Sequence, residues 1–457
     1  MEFLQNALTA AADAAFGPFT IILILGTGVY LTFGLRFLTL RRLPETLRML
    51  FNPALRGGAT GGGEVSPMGA LMTGLSAMLG TGKIAGVATA IHLGGPGALF
   101  WMWMTALVGM ATRYAETLLA IKFREVSPHG HYLGGTMYYI KNGLGKKWLW
   151  LAAAYAIFTF PQAFGPQAQA NTIADMLVAQ FSVPTWATWA ALTVSTFAVR
   201  IGGLQRLTKV ASALVPVMVI FYMGGSALVL ISHAADIPSA FALIFKSAFT
   251  GTAATGGFIG AGVAEAIRYG VARGIFSNEA GMGTTSIAHA TAKSDDDVRQ
   301  AALSMVGPFI DTIILCTVTG LVIILTGVWE TGGTGAPLVA QAFETVLPGG
   351  GSLIVTGAVL MFGLSVLWGW GLYGERAAAY LFGERAIIPS RYLYTITAPL
   401  GALLNVDTAW AFIDLSFAMM AAPNLIALIL LSPVVFRTTL ARLKGGAPLI
   451  PAKAESS

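Results

Sequence analysis

Ser76–Gly97 reads SAMLGTGKIAGVATAIHLGGPG and lies within a long apolar segment. A helix built to cross a bilayer should be continuous, yet Gly80 and Gly82 flank Thr81 here, and Lys83 follows at once. Glycine releases the backbone from helical angles. In lipid, the carbonyl and amide groups so freed are tolerated only where they face a cavity or a bound ligand. The stretch therefore predicts a membrane helix broken around a ligand. The plainer alternative is that these glycines only allow close helix packing.

The surroundings set the class. Of 457 residues, 55% are hydrophobic and 11% charged, against about 25% charged in a soluble domain, and mean hydropathy is +0.72. This is the composition of an all-α polytopic membrane protein. Segments long enough to span, about 20 apolar residues each, number about eleven: 18–38, 67–93, 96–121, 148–180, 184–202, 207–233, 272–293, 299–328, 352–382, 391–405 and 408–436. The net charge of +6 resides in short loops such as Arg36–Arg56, Lys122–Lys147 and Arg200–Lys209. It therefore speaks for orientation, N-terminus outside and C-terminus cytoplasmic, and gives no reason to expect a nucleic-acid partner. Residues 39–60 alternate basic and apolar side chains, as a helix lying on the cytoplasmic membrane surface would. Residues 236–271, glycine-rich with Lys246, Glu265 and Arg268, suit short outer or re-entrant helices. The N-terminus lacks a basic region and does not read as a signal peptide. The single Cys316 rules out an intrachain disulfide and leaves the redox compartment open.

A second oddity matches the first. In GIFSNEAGMGTTSIAHATAK, Asn278 and Glu279 sit mid-segment beside Gly281 and Gly283, where a buried charge costs at least about 2.5 kcal/mol. The second and seventh spans cross in opposite directions. That predicts an inverted repeat of five plus five helices after one extra N-terminal span, with binding where the two breaks meet. The chain then divides into 1–66 (first span and amphipathic loop), 67–235 (first repeat), 236–271 (connector), 272–444 (second repeat) and 445–457 (a polar, disordered cytoplasmic tail). Within the fourth span, FPQAFGPQAQAN combines Pro161 and Pro166 with Gln167, Gln169 and Asn171, amides able to bond both ends of a zwitterion. Arg113 and Glu116, three apart, are expected to pair with each other. Asp311 and Asp414 are intramembrane carboxylates without an evident partner. Ser365 and Trp370 are candidates to line a cavity, Trp368 to pack, and the histidines look incidental. No HExxH motif or placed nucleophile supports an intramembrane enzyme, and no filter repeat supports a channel.

These stretches resemble the alanine or glycine:cation symporter family, the sodium:alanine symporters. The resemblance rests on GTGKIAGVATAIHLGGPGALFWMWMTALVGMATRYAETLLAIKFR, GGTMYYIKNGLGKKW, GVARGIFSNEAGMG, FIDTIILCTVTGLVI and WGLYGERAAAYLFG. It implies a LeuT-type fold of eleven spans in the plasma (inner) membrane, which takes up alanine or glycine by symport with a cation, usually sodium. It implies no cofactor, no metal beyond a sodium ion, and no obligate protein partner. The substrate site would comprise Thr81, Gly82, Gln169, Asn171, Ser277, Asn278, Gly281 and Trp370, the last capping the small side chain. Gly80, Lys83 and Ser365 would mark the ion position. Two departures from the family pattern matter. Lys83 stands where the family has asparagine, and Ser365-Val366 where it has adjacent threonines. They open an alternative in which transport is sodium-independent or proton-coupled and Lys83 replaces the ion. Otherwise Lys83 pairs with Asp311 or Asp414, and sodium binds elsewhere.

Overall fold

Proline lacks an amide donor and so suits a first helical turn; it opens α1 (Pro18–Gly34). After a short surface helix, α2 (Leu43–Phe51), Ser66 caps α3 (Pro67–Met78) by accepting the Gly69 amide at 3.0 Å. That helix stops at Met78. Gly80 is extended, Thr81–Lys83 form one 3-10 turn, and α4 (Ala85–Gly94) resumes and ends on Gly95 with φ +67°. There follow α5 (Ala98–Lys122), α6 (Leu149–Phe164), α7 (Ala168–Phe181), α8 (Thr185–Arg200), α9 (Gly203–Ser232) and α10 (Ile237–Thr250). The second half comprises α11 (Val263–Asn278), α12 (Thr284–His289), α13 (Asp297–Leu325), α14 (Gly335–Val346), α15 (Gly351–Gly369), α16 (Gly371–Phe382), α17 (Ile387–Thr397) and α18 (Val406–Lys444). A two-residue ladder, Glu125–Val126 with Tyr132–Leu133, is the only strand pairing outside isolated bridges among the described residues.

The computed structural model describes residues 11, 15, 17–52, 61–164, 167–252, 260–404 and 406–444. The expected tail 445–457, Pro166 and residues 53–60 of the amphipathic loop lie outside the described residues, as does the side chain of Asp414. Four described helices are long and apolar enough to cross a membrane: α9, α13, α15 continuing into α16, and α18 from Leu415. Large apolar side chains such as Phe19, Ile22, Val194, Ile220 and Ile231 lie fully on the outside, as hydrocarbon contact requires. The chain is an all-α, multi-pass membrane protein.

Among the expected bounds, two differ in ways that bear on the site. The seventh segment starts at Val263, not 272, so Glu265 and Arg268 belong to its first turns; those charges lower local hydropathy and hid the start. The fourth segment consists of two helices, α6 and α7, joined through residues 165–166.

The two interrupted segments lie side by side and antiparallel. Gly74 faces Thr285 and His289, Gly82 faces Phe276 and Ser277, and Gly94 faces Glu265 and Ala266, while next to these helices Val65 and Ala292 form an isolated parallel bridge. Small residues permit the approach of α11 to α5. A Cβ on Gly270 would collide with the Ala98 carbonyl, and one on Gly274 would lie 3.2 Å from the Met102 Cα.

Candidate functional site

Where α3 ends, the backbone leaves helical angles, and every side chain from Thr81 to Lys83 is buried. Gly80 lies against α7 and α15: a Cβ there would be 3.2 Å from Gln169 Nε2 and 2.8 Å from Val366 Cγ2. Thr81 Oγ1 and Gln169 Oε1 are buried without a hydrogen-bond partner among the described residues. An unpaired buried oxygen costs on the order of 1–3 kcal/mol, so these two mark a place built for a donor. Asn171 turns elsewhere. Its amide donates to the Leu404 carbonyl at 2.8 Å, while its Oδ1 is also unpartnered among the described residues.

The second interruption is held from two helices, α5 and α18. Glu116 on α5 accepts the main-chain amides of Gly281 and Gly283 through one oxygen, each at 3.0 Å, and the same oxygen takes the Asn424 side chain from α18 at 2.8 Å. Asn424 also donates to the Gly281 carbonyl at 2.8 Å. Arg113, one helical turn before Glu116, donates to the Asn278 carbonyl at 2.5 Å and lies 3.6 Å from the Glu116 carboxylate. The expected Arg113–Glu116 pair is thus present, but its larger task is to satisfy backbone groups that the break leaves open. Asn278 caps its own break, accepting the Ala280 amide at 3.0 Å.

Glu279 sits at φ +53°, an unusual backbone state for a side-chain-bearing residue. Its carboxylate accepts Thr284 and Thr285 hydroxyls at 2.8 and 3.0 Å, and the Trp370 indole N–H at 3.0 Å. The same indole reaches the Ala77 carbonyl at 3.1 Å, so Trp370 joins the two breaks. Its ring stacks on Phe417, which in turn stacks on Phe276.

Lys83 and Asp311 meet. The ammonium is 2.9 Å from Asp311 Oδ1, 3.1 Å from the Gly80 carbonyl and 3.5 Å from that of Met78, over the Phe362 ring. The other Asp311 oxygen accepts Ser277 Oγ at 2.6 Å and Thr312 Oγ1 at 2.9 Å. Asp311 lies in a π-helical stretch of α13, Phe309–Cys316, a form that recurs at functional sites. Ser365, grouped with Lys83 on sequence grounds, instead donates to the Ser76 carbonyl at 3.0 Å. Of the sequence-predicted residues, Gly80, Thr81, Gly82, Lys83, Gln169 and Ser277 converge at the meeting of the breaks. Trp370 reaches it through Ala77 and Glu279, Gly281 is held by Glu116 and Asn424, and Asn171 and Ser365 turn to neighbouring carbonyls.

Sequence reading missed Asn424, although a lone amide in AAPNLIAL is a visible signal. It also took the histidines as incidental. His129 Nδ1 lies 2.6 Å from Glu384, and His131 Nδ1 lies 3.2 Å from Glu64, which also accepts Arg376 at 2.8 Å. This cluster joins the residues just before α3 to the loop after α5 and to the end of α16.

Comparison with known proteins gives four findings. The model of the family described as "Sodium:alanine symporter family" matches residues 1–442. The chain is similar to the sodium/alanine symporter AgcS of Methanococcus maripaludis, 43% identical over 447 residues that cover 96% of this chain and 97% of the relative. It is equally similar to a transporter of Haemophilus influenzae, 43% identical over 441 residues and 95% of each chain. Among solved structures, MhsT in complex with L-phenylalanine matches with TM-score 0.51 and 13% identity, over 83% of this chain and 99% of that one. That likeness shows the fold, a LeuT-like arrangement of helices.

Proposed function

Because the chain belongs to the sodium:alanine symporter family, we propose that it is a secondary active transporter that carries small neutral amino acids, alanine or glycine, into the cell together with sodium. The observation that carries this reading is the pair of buried, unpartnered oxygens on Thr81 and Gln169 where the first interruption meets α7. An amino-acid ammonium supplies the donors these oxygens lack. Main-chain amides of the opened turn around Thr81 and Gly82 take its carboxylate at the positive end of α4. Trp370, stacked on Phe417, limits the side chain, and Ser277, Asn278 and Gly281 form the opposing wall.

On this reading eleven helices cross the plasma (inner) membrane, with the N-terminus outside and the C-terminus in the cytoplasm. One extra span precedes two inverted five-helix repeats, the first within 67–235 and the second opening with α11. The α3–α4 and α11–α12 pair rocks against the remaining helices and opens the site alternately to each side. The antiparallel run of contacts from Gly74, Gly82 and Gly94 to the second segment supports this arrangement.

The test is uptake of labelled alanine into proteoliposomes under an inward sodium gradient, with choline as the replacement cation. Uptake should collapse in choline. Undiminished uptake in choline overturns the sodium assignment, and absence of uptake for alanine, glycine and serine alike overturns the substrate class.

A further inference from the structure

A fully buried lysine at a helix break needs a physical account. Around the Lys83 ammonium stand one carboxylate oxygen at 2.9 Å, two main-chain carbonyls at 3.1 and 3.5 Å, and the face of Phe362 at 5.3 Å to the ring centre. Apart from the ring, these are the ligands a hard monovalent ion takes. The remaining Asp311 oxygen is held by Ser277 and Thr312, so the carboxylate is fixed before any cation is considered. Both Lys83 and Asp311 have no solvent exposure. A buried carboxylate stripped of its partner is costly, which makes the position demand a positive charge.

We propose that the Asp311 carboxylate, with the Gly80 and Met78 carbonyls, forms a monovalent-cation site whose occupant is the tethered ammonium of Lys83, and that removing the tether opens the site to a free cation. The site links three elements: Lys83 belongs to the first interruption, Ser277 to the second, and Asp311 to α13. A tethered cation holds them together without an ion having to bind. A coupling sodium therefore binds elsewhere, and the core positive charge at this position does not leave during turnover. The consequence for coupling rests on the symporter reading; the existence of the site does not.

Purified protein in detergent supplies the test, because it needs no transport. Melting temperature is measured for wild type, Lys83→Ala and Lys83→Ala/Asp311→Asn in choline chloride, with sodium, potassium or methylammonium chloride exchanged in at constant ionic strength. A ligand that binds only the folded state raises its stability with concentration. Lys83→Ala should show a saturable rise beyond any shift seen in wild type, and the double variant should lose that extra rise. Comparison with wild type cancels the response of any other sodium site. A Lys83→Ala protein that melts in parallel with wild type in all salts overturns the proposal. Should the variant fail to fold in choline, it must be recovered in at least one of the three small cations; failure in all of them also overturns the site. A wild type that takes up no alanine defeats the transport reading and leaves these curves unaffected.

Discussion

Glu116 brings three donors onto one carboxylate oxygen, and two of them are backbone amides that no other residue satisfies in the described structure. Glu116→Ala should therefore lower stability by about 3–5 kcal/mol, since it also leaves Arg113 buried without its carboxylate. Glu116→Gln, which keeps an acceptor, should cost less, on the order of 1–3 kcal/mol. Thermal unfolding in detergent checks the order of the two. Trp370→Ala removes both the ring over Phe417 and the N–H that joins Ala77 to Glu279. Leucine and phenylalanine should then compete with alanine uptake where they did not before, and unchanged competition counts against the role given to this ring. Polarity in an apolar run made Lys83, Asp311, Ser277 and Glu279 visible in the sequence. Their partners were visible only in part: Asp311 and Asp414 both stood open to Lys83, and the structure pairs it with Asp311. Which carboxylate answers Lys83 depends on where α13 lies, and local sequence carries no such information. Glu116 looked like half of a helical ion pair because two of its other partners are backbone atoms, which have no letter in the sequence, and the third, Asn424, lies on the last helix, far away in sequence.

Helix interruptions were the most legible elements, because glycine beside a polar residue has a direct backbone meaning. The packing of intact helices was less so. Gly270 and Gly274 matter for what stands opposite them, and a Cβ on Gly270 meets main chain that cannot rotate away. Gly270→Ala should separate α11 from α5 and destabilise by about 1–3 kcal/mol. Gly224, where a Cβ meets nothing within 4 Å, provides the control: Gly224→Ala should melt like wild type. The π-helical stretch Phe309–Cys316 left no trace in composition. A change from one hydrogen-bond register to a wider one alters no residue type, yet it is the segment that carries Asp311. Charges in the first turns of α11 had the opposite effect, making a helix read as a connector.

At the scale of the whole molecule, length and apolar composition were enough to give the class, and the distribution of basic residues gave a testable orientation. Cys316, the single cysteine of the chain, is buried, so engineered cysteines can be labelled over a low background. In intact cells an impermeant maleimide should modify Asp236→Cys and spare Lys146→Cys, both of which replace exposed side chains; the reverse pattern would invert the proposed topology. Relative placement of the two interrupted segments was legible only as opposite chain directions, which the structure shows as an antiparallel run of contacts. Beyond the side-chain links at the breaks, the ends of the two segments are joined by main-chain bonds, Glu64 N–H to the Thr291 carbonyl at 2.8 Å and Lys293 N–H to the Val65 carbonyl at 2.7 Å. Replacing Glu64, Val65 or Lys293 by anything but proline leaves these bonds in place, whereas Arg124 clamps the same joint by donating to the Ala290 and Ala292 carbonyls at 2.9 and 2.7 Å, and a Cβ on Gly63 would lie 2.4 Å from the Ala292 carbonyl. Lys293→Pro should therefore impair uptake while Lys293→Ala does not, and a mutational map would report this joint through Arg124 and Gly63 and leave blank the residues whose main chains form it.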